Sequence, residues 1–199
     1  MAAVEFIGFH GTNKENVESI LRDGFNRPAR DSRMGPGHYF YIGGCSTCAE
    51  TDAKRWAQQA AFNKETRKLT HPRFAVLRAK ITCSNVFDLR WEDHLKFFNE
   101  RRDGLHDDLV QTKNALEDIR SKEALMDGAI IAKCQEFFKF DAVVMHCFSN
   151  RNYRKKLRHF QSYVPNASIL CVCHNEARVA VDISDITEVS SGDIELPEL

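Results

Sequence analysis

Two short glycine-containing motifs, each beside a stretch with strand character, constrain the fold of this chain most strongly. The first is His10-Gly11-Thr12, which directly follows the mostly apolar residues 4–9. The second is Gly35-Pro36-Gly37-His38-Tyr39-Phe40, which begins as a turn and enters a short strand over residues 38–42. A glycine lets the backbone approach a ligand closely because it has no Cβ. The two motifs therefore predict two strands whose ends line one pocket for a planar amide.

The remaining sequence alternates between helical and strand patterns. A helix is expected after Thr12 or Asn13, either of which can cap it, with its end at Gly24. Residues 26–37, with their prolines and glycines, predict a loop. Further helices are expected over 49–68, 91–125 and 129–138, and further strands over 74–81 (extending toward Leu89), 140–145, 167–173 and 177–182. These patterns predict an α+β protein with short strands around a cleft, residues 1–189 as one domain and residues 190–199 as a frayed acidic tail.

Composition narrows the classes of partner and compartment. The 199 residues are 43% hydrophobic, which is enough for one good core. Lys and Arg total 28 and Asp and Glu total 28, so overall charge favours neither a nucleic acid nor an anionic membrane as partner. No stretch approaches the ~18–20 apolar residues of a membrane span, and the first residues lack a basic leader. With seven cysteines, an odd number, we expect reduced thiols in the cytoplasm or nucleus, while secretion without a signal stays open.

The two motifs carry groups that suit a carboxamide attached to a ribose. The backbone N–H and C=O of Gly11 together match the acceptor and donor of a carboxamide. Thr12 adds a hydroxyl, and the ring of His10 can hydrogen-bond a ribose hydroxyl. The turn at Gly35-Pro36-Gly37 would bring the ring of Tyr39 against the face of a nicotinamide.

These residues resemble the ADP-ribosyltransferases of the diphtheria-toxin and poly(ADP-ribose) polymerase type. The first motif of that family is His-Gly-Ser/Thr, then Asn, then Ile-Leu-x-x-Gly-Leu/Phe, and its second motif is Gly-x-Gly-x-Tyr-Phe. The matching residues are His10, Gly11, Thr12, Asn16, Ile20, Leu21, Gly24 and Phe25 for the first motif, and Gly35, Gly37, Tyr39 and Phe40 for the second. The segment 53–57 is similar to the helix that brings a further aromatic residue to the nicotinamide. The resemblance covers residues 5–57 and implies a split mixed or antiparallel sheet around an NAD+ cleft.

The resemblance also implies roles for individual residues. His10 would hold the nicotinamide ribose, Gly11 the carboxamide, and Tyr39 and Trp56 the ring, with Asn16 on the adenosine side. Arg27, or Asn26 before it, falls where family members reach the adenine ribose or the phosphates, and a guanidinium suits a pyrophosphate. The implied cofactor-binding set is Gly11, Thr12, Asn16, Arg27, Gly37, Phe40 and Trp56.

The late strand over 167–173 departs from the family pattern. The family commonly supplies a Glu there, which stabilises the cation that forms at the ribose, whereas Ser168 stands near that position here. Gln161 and Glu176 are the alternatives. The expected catalytic set is therefore His10, Tyr39 and Ser168, which favours transfer of a single ADP-ribose to a macromolecular acceptor, a protein rather than a nucleic acid. The alternatives are an NAD glycohydrolase and a catalytically weak module that binds NAD+, ADP-ribose or a protein partner.

Cysteines and a basic segment raise two further alternatives. Cys45 and Cys48 have the spacing of a zinc knuckle that Cys171, Cys173 and His174 could complete. A single Cys-x-x-Cys is weak evidence, so no metal is expected, and Cys171 and Cys173 are interpreted as buried small apolar residues. The basic residues within 151–159 favour a solvated helix face over a nucleic-acid or acidic-protein contact.

Overall fold

The computed structural model describes residues 3–26, 28, 29, 34–63, 65–111, 126–148, 164–173 and 181–195. Within these ranges the chain forms an α+β structure with a seven-stranded mixed sheet, a separate two-stranded hairpin and four helices. The strands are β1 (Val4–Asn13), β2 (Gly37–Ile42), β3 (Phe62–Asn63), β4 (Lys68–Leu69), β5 (Arg73–Cys83), β6 (Val86–Asp88), β7 (Ala142–Cys147), β8 (Ala167–Cys173) and β9 (Asp182–Asp193). The helices are α1 (Val17–Asp23), α2 (Ala49–Ala60), α3 (Glu92–Gln111) and α4 (Met126–Phe137).

The strand order of the large sheet is β6-β7-β8-β2-β1-β5-β9. Strands β6 and β7 run parallel, and every other neighbouring pair is antiparallel. The first half of the chain thus supplies the centre of the sheet, and later strands extend both sides. The small hairpin pairs β3 with β4.

Strands β1 and β2 lie side by side only briefly. Their register joins Gly8 to Ile42 and Phe9 to Tyr41 and goes no further. From His10 onward β1 pairs with β5 alone among the described strands, while β2 pairs with β8 along its whole length. Ala29 forms an isolated bridge with Gly37, with N–H···O distances of 2.9 and 3.0 Å. The two central strands therefore diverge and leave a wedge-shaped opening in the sheet.

Buried apolar side chains cover both faces of the sheet. On one face, α2 contributes alanines at every fourth position, which lie against strand residues such as Phe74 and Val76. Helices α3 and α4 cover the far end of that face, around Phe87 and Phe140. On the opposite face, Val17 of α1 packs against β5. Each fully buried large apolar side chain contributes about 1.5–3 kcal/mol, so these clusters hold the strands in register.

Most predicted elements are present, with shifted ends. Residues 4–9 form part of β1, but the strand continues to Asn13, so His10 lies inside it and not at its end. Asn13 acts as the predicted cap, since its side chain accepts from the N–H of Glu15 in a short 3-10 turn before α1. Gly24 ends α1 with φ of 73°, and its N–H donates to the carbonyl of Ile20.

Other predicted ends were wrong for local reasons. The helix predicted over 49–68 stops at Ala60, because the side chain of Asn63 accepts from the N–H groups of Glu65 and Thr66 and turns the chain into the hairpin. The strand predicted over 74–81 is longer, and its expected extension forms the separate strand β6. The helix predicted over 91–125 is α3 as far as Gln111, and the rest lies outside the described residues.

The end of the chain also differs from the prediction. Residues 177–180 lie outside the described part, and the last strand begins at Asp182 and continues to Asp193. The first four residues of the predicted tail are therefore strand. They pair with β5, and buried Ile194 beyond them donates its N–H to Pro72. Burial of Ile194 helps to hold the end of β9 against the sheet.

Close contact between α2 and β1 at Gly11 provides a test of this packing. A Cβ added at Gly11 would lie 2.1 Å from the carbonyl oxygen of Ala53. We expect Gly11→Ala to lower the free energy of unfolding by about 3 kcal/mol, because backbone and not a flexible side chain must move. Gly43→Ala, where an added Cβ meets nothing within 4 Å, is the matched control and should change stability by less than about 0.5 kcal/mol. Equal urea midpoints for the two variants would contradict this packing.

Candidate functional site

A pocket of about 610 Å³ occupies the opening between β1 and β2. Its walls come from the end of β1, the start of β2 and one side of α2, with Pro28 and Ala29 closing the outer end. This volume lies within the range of ordinary small-molecule sites. The lining residues are His10, Gly11, Thr12, Asn13, Asn16, Pro28, Ala29, Gly37, His38, Tyr39, Phe40, Tyr41, Trp56, Ala57, Ala60, His71 and Ile169.

His10 joins the two diverging strands across the opening. Its Nδ1 lies 2.8 Å from the carbonyl oxygen of Tyr39. A carbonyl oxygen only accepts, so Nδ1 carries the proton and donates it. Burial lowers the pKa of His10, although the bond to Tyr39 acts in the opposite direction. His10 is therefore neutral at pH 7, and Nε2 is left as an acceptor.

Aromatic side chains fix the orientation of the His10 ring. Phe25 meets it edge to face, with ring centroids 5.0 Å apart, and Phe40 lies 5.7 Å away. Phe25 reaches this position because Gly24 reverses the chain at the end of α1 with a positive φ, which disfavours other residues. The Gly24-Phe25 pair of the first motif thus supports His10.

Tyr39 anchors the loop that precedes β2. Its hydroxyl donates to the carbonyl of Gly35 at 2.6 Å and accepts from the N–H of Met34 at 3.0 Å. Two bonds from one phenol order the turn and hold the ring in a single orientation. The ring itself lines the pocket, so the turn and the aromatic wall form one unit.

The end of the pocket near α1 is polar and uncharged. The side-chain amide of Asn16 donates to the hydroxyl of Thr12 at 3.2 Å, and Thr12 is buried. Asn13 lines the same end while its side chain caps the next turn. Hydroxyl and amide groups of this kind can pair with the donors and acceptors of a neutral polar ligand.

Trp56 stands at the rim of the pocket. Its side chain is 46% exposed although it belongs to a helix whose other face is buried. Ala57 and Ala60 beside it are small, so the indole borders open space. An exposed indole at the edge of a cavity is a stacking surface for a planar ligand.

Packing of α2 against β1 requires glycine at position 11, independently of any ligand. The space where its Cβ would lie is taken by the backbone of Ala53 and the methyl group of Ala57. Glycine at this position therefore lets α2 approach β1 and carry Trp56 to the rim. The backbone of Gly11 lines the pocket as well.

Of the predicted site residues that the structure describes, all except Ser168 and Asn26 line this pocket. The structure brings together His10, Gly11, Thr12, Asn16, Gly37, Tyr39, Phe40 and Trp56. Arg27, Gln161 and Glu176 lie outside the described residues, as does the basic segment 151–159.

Ser168 lies on the side of β8 that faces away from the pocket. It is fully buried, and its hydroxyl contacts Cys45 and His146. The neighbouring Ile169 lines the pocket instead, because successive strand residues point to opposite faces. The sequence predicted Ser168 in the pocket, whereas the structure has the next residue, Ile169, there.

Charged side chains are absent from the lining in the part of the chain that the structure describes. No Asp, Glu, Lys or Arg is among the lining residues. Where a carboxylate was sought on β8, the pocket meets the aliphatic side chain of Ile169. The described walls can orient a ligand by hydrogen bonds and stacking but offer no negative charge.

His71 lines the pocket and was missed by sequence reasoning. The hydroxyl of Thr70 donates to the carbonyl of Ala61 and accepts from Nδ1 of His71 at 3.0 Å. Burial lowers the pKa of His71, and Glu15 opposes this. His71 precedes β5 and is brought to the pocket by the long-range pairing of β5 with β1, so no local motif marks it.

The cysteines do not gather into a metal site within the described ranges. No group of three or more His, Cys, Asp or Glu side chains there could hold a metal ion. Cys171 is buried in the cluster around Phe87, on the opposite face of β8 from the contact between Ser168 and Cys45. His174 lies outside the described residues.

Comparison with known proteins gives no family assignment. No protein-family model, no curated protein and no solved structure matches this chain. Among the described helices, none is both long and apolar enough to cross a membrane. Functional assignment therefore depends on the residues of the pocket.

The buried, neutral His10 predicts a pH dependence of stability. Because its folded-state pKa lies below the usual 6.5, the unfolded chain binds a proton more readily than the folded one. Unfolding free energy should therefore fall as pH drops from 6.5 toward the folded pKa, by at most about 1.4 kcal/mol per pH unit for this group. His71 and His146 shift in the same direction.

The contribution of His10 is isolated by His10→Asn, whose amide N–H can still reach the Tyr39 carbonyl. Urea unfolding at pH 7.5 and 5.5 should show a smaller loss of stability in this variant than in the wild type. An identical pH slope in both proteins would contradict a neutral, buried His10.

Proposed function

We propose that this chain has an ADP-ribosyltransferase-type fold and uses NAD+ as substrate. It would transfer a single ADP-ribose to a macromolecular acceptor, a protein in preference to a nucleic acid, and release nicotinamide. One observation carries the proposal. Residues from both family-like motifs line one pocket where β1 and β2 diverge, together with Trp56 from α2; they are His10, Gly11, Thr12 and Asn16 of the first motif and Gly37, Tyr39 and Phe40 of the second.

The nicotinamide end of NAD+ fits the aromatic part of this pocket. Tyr39 and Trp56 offer faces for the ring, and the backbone of Gly11 offers groups to the carboxamide. Nε2 of His10 is free to accept a hydrogen bond from a ribose hydroxyl, because Nδ1 donates to Tyr39. NAD+ would thus be oriented by uncharged groups around its reacting carbon.

The adenosine end would lie toward Thr12 and Asn16. Their hydroxyl and amide groups provide donors and acceptors for a ribose or a base. The pyrophosphate needs a cation, and Arg27 is the residue proposed for it, next in the chain to Pro28 of the pocket wall.

The reaction is a substitution at the C1′ carbon of the nicotinamide ribose. The bond from C1′ to the ring nitrogen breaks, and nicotinamide leaves with the electron pair as a neutral molecule. A nucleophile on the acceptor forms the new bond to C1′ and loses a proton to solvent. Fixing the ribose and the leaving ring in the correct geometry lowers the barrier.

The apolar Ile169 in the pocket wall limits this chemistry. Because the described walls of the pocket hold no carboxylate, they give little stabilisation to positive charge at C1′ in the transition state. Extension of a chain of ADP-ribose units, for which the family relies on that carboxylate, is not proposed. The same observation favours a second candidate, a module that binds NAD+ or ADP-ribose with little or no turnover. Hydrolysis of NAD+ to free ADP-ribose is the third outcome.

Two tryptophans provide a matched test. Trp56 lines the pocket and Trp91 lies elsewhere, packed against His94, and both are exposed. We expect Trp56→Ala to weaken NAD+ binding by about tenfold, because a stacking contact of roughly 1–2 kcal/mol is lost. Trp91→Ala should bind as the wild type does. Titration calorimetry with NAD+ measures both.

Turnover is measured in the same proteins as nicotinamide release from NAD+. His10→Ala should abolish release that the wild type and Trp91→Ala both show. ADP-ribose attached to protein supports transfer, and free ADP-ribose supports hydrolysis. NAD+ binding without release supports the binding module, and no binding by the folded wild type would contradict all three.

A further inference from the structure

A second polar cluster lies on the loop between β2 and α2. This loop contains Cys45-Ser46-Thr47-Cys48, and its two cysteines have different surroundings. Cys48 is exposed, and Cys45 is half-buried against β7 and β8. We call these two residues the dithiol.

Cys48 occupies the N-cap position of α2. The hydroxyl of Thr51 donates a hydrogen bond to its sulfur at 3.2 Å. This bond lowers the pKa of the Cys48 thiol, and the positive end of the helix dipole favours a thiolate at the same place. An exposed sulfur with thiolate character is a nucleophile that solutes can reach.

Cys45 is held beside a base. Its sulfur lies 3.4 Å from Nδ1 of His146 and 3.4 Å from the hydroxyl oxygen of Ser168. The N–H of Cys45 donates to that hydroxyl at 3.0 Å, and the hydroxyl lies 2.9 Å from Nδ1 of His146. The cysteine, histidine and serine thus form one closed group of contacts.

The loop backbone is shaped for this contact. Gly44 has φ of 138°, and a Cβ there would lie 2.4 Å from the hydroxyl oxygen of Ser168. The N–H of Ser168 donates to the hydroxyl of Ser46 at 3.1 Å. Ser168 therefore anchors the loop through both its backbone and its side chain.

His146 is suited to accept a proton. Burial is the main cause that lowers the pKa of His146. The nearby positive charge of Arg90 lowers it further, and Asp88 acts in the opposite direction. Arg90 is itself held by a 2.6 Å ion pair with Asp88. His146 is thus a neutral base at pH 7.

The other cysteines offer no comparable site. Burial raises the pKa of Cys83 to about 12 and that of Cys134 to about 11. Cys147 and Cys171 are buried in apolar clusters, and the contact with Cys171 raises the pKa of Cys173. Among the described cysteines, Cys48 thus combines an exposed sulfur with a lowered pKa.

We propose that Cys45 and Cys48 form a redox-active dithiol, in which Cys48 is oxidised by hydrogen peroxide and Cys45 then closes a disulfide with it. The site is independent of the pocket, because its groups lie on the opposite face of β8. The two cysteines have the Cys-x-x-Cys spacing that disulfide oxidoreductases use, and the second is the N-cap of α2.

The oxidation takes two balanced steps. The Cys48 thiolate attacks peroxide, the O–O bond breaks, and a sulfenic acid and hydroxide form, so that sulfur loses two electrons and peroxide gains them. The Cys45 sulfur then attacks the sulfenic sulfur and displaces hydroxide. Its proton passes to Nδ1 of His146 and on to the hydroxide, which leaves as water. Two molecules of an external thiol restore both cysteines by exchange, through a mixed disulfide, and leave joined as their own disulfide.

Peroxide oxidation of the full-length protein, with mass mapping of its peptides, tests the proposal. The wild type should lose two hydrogen atoms, both from the single peptide that contains Cys45 and Cys48. Cys45→Ser should stop at a sulfenic acid on Cys48 that dimedone captures, and Cys48→Ser should leave Cys45 reduced. First oxidation at Cys173, or a disulfide only between two molecules, would overturn the proposal.

The environment of each thiol is tested separately. Thr51→Val should slow alkylation of Cys48 at pH 7 by about threefold, because less thiolate is present, whereas Thr66→Val in the small hairpin should not. His146→Gln should prolong the life of the Cys48 sulfenic acid without changing the rate at which it forms. Circular dichroism verifies that each variant is folded. No effect of Thr51→Val or His146→Gln on its own step would contradict the assigned roles.

Discussion

The hydrogen bond from Nδ1 of His10 to the Tyr39 carbonyl is the contact on which the rest of the site depends. Strands β1 and β2 stop pairing just before His10, where a further backbone pair would otherwise continue the ladder. The imidazole takes that place while leaving a gap wide enough for a pocket. The same bond sets the tautomer of His10, because the carbonyl requires Nδ1 to carry the proton. His10 thus links the two strands and also determines which hydrogen-bonding group it presents to the pocket.

Local sequence signals predicted much of the site. Gly24, Asn13 and the Gly35-Pro36-Gly37 turn act through their own backbone or nearest neighbours, and the structure has each where its turn or cap was expected. The strand core over 167–173 was also predicted, with the same bounds. These features depend on short-range physics that a sequence carries directly.

Long-range pairing accounts for what the sequence could not predict. Which face of β8 meets the pocket depends on its register with β2, and a shift of one residue exchanges Ser168 for Ile169. Contacts between distant segments likewise determine the bridge between Ala29 and Gly37 and the position of His71 in the pocket wall. Neighbouring residues of β8 consequently serve different sites, Ile169 in the pocket and Ser168 beneath the dithiol. The wall that β8 gives to the pocket is therefore the aliphatic side chain of Ile169 and not the hydroxyl of Ser168.

The opening between β1 and β2 is proposed to hold the nicotinamide end of NAD+, and every functional role assigned to the pocket depends on this placement. A crystal structure of the protein with a non-hydrolysable NAD+ analogue measures it directly. We predict the nicotinamide ring between Tyr39 and Trp56, its carboxamide on the Gly11 backbone and a ribose hydroxyl at Nε2 of His10. An analogue bound elsewhere, or a pocket left empty at saturating analogue, would contradict this placement.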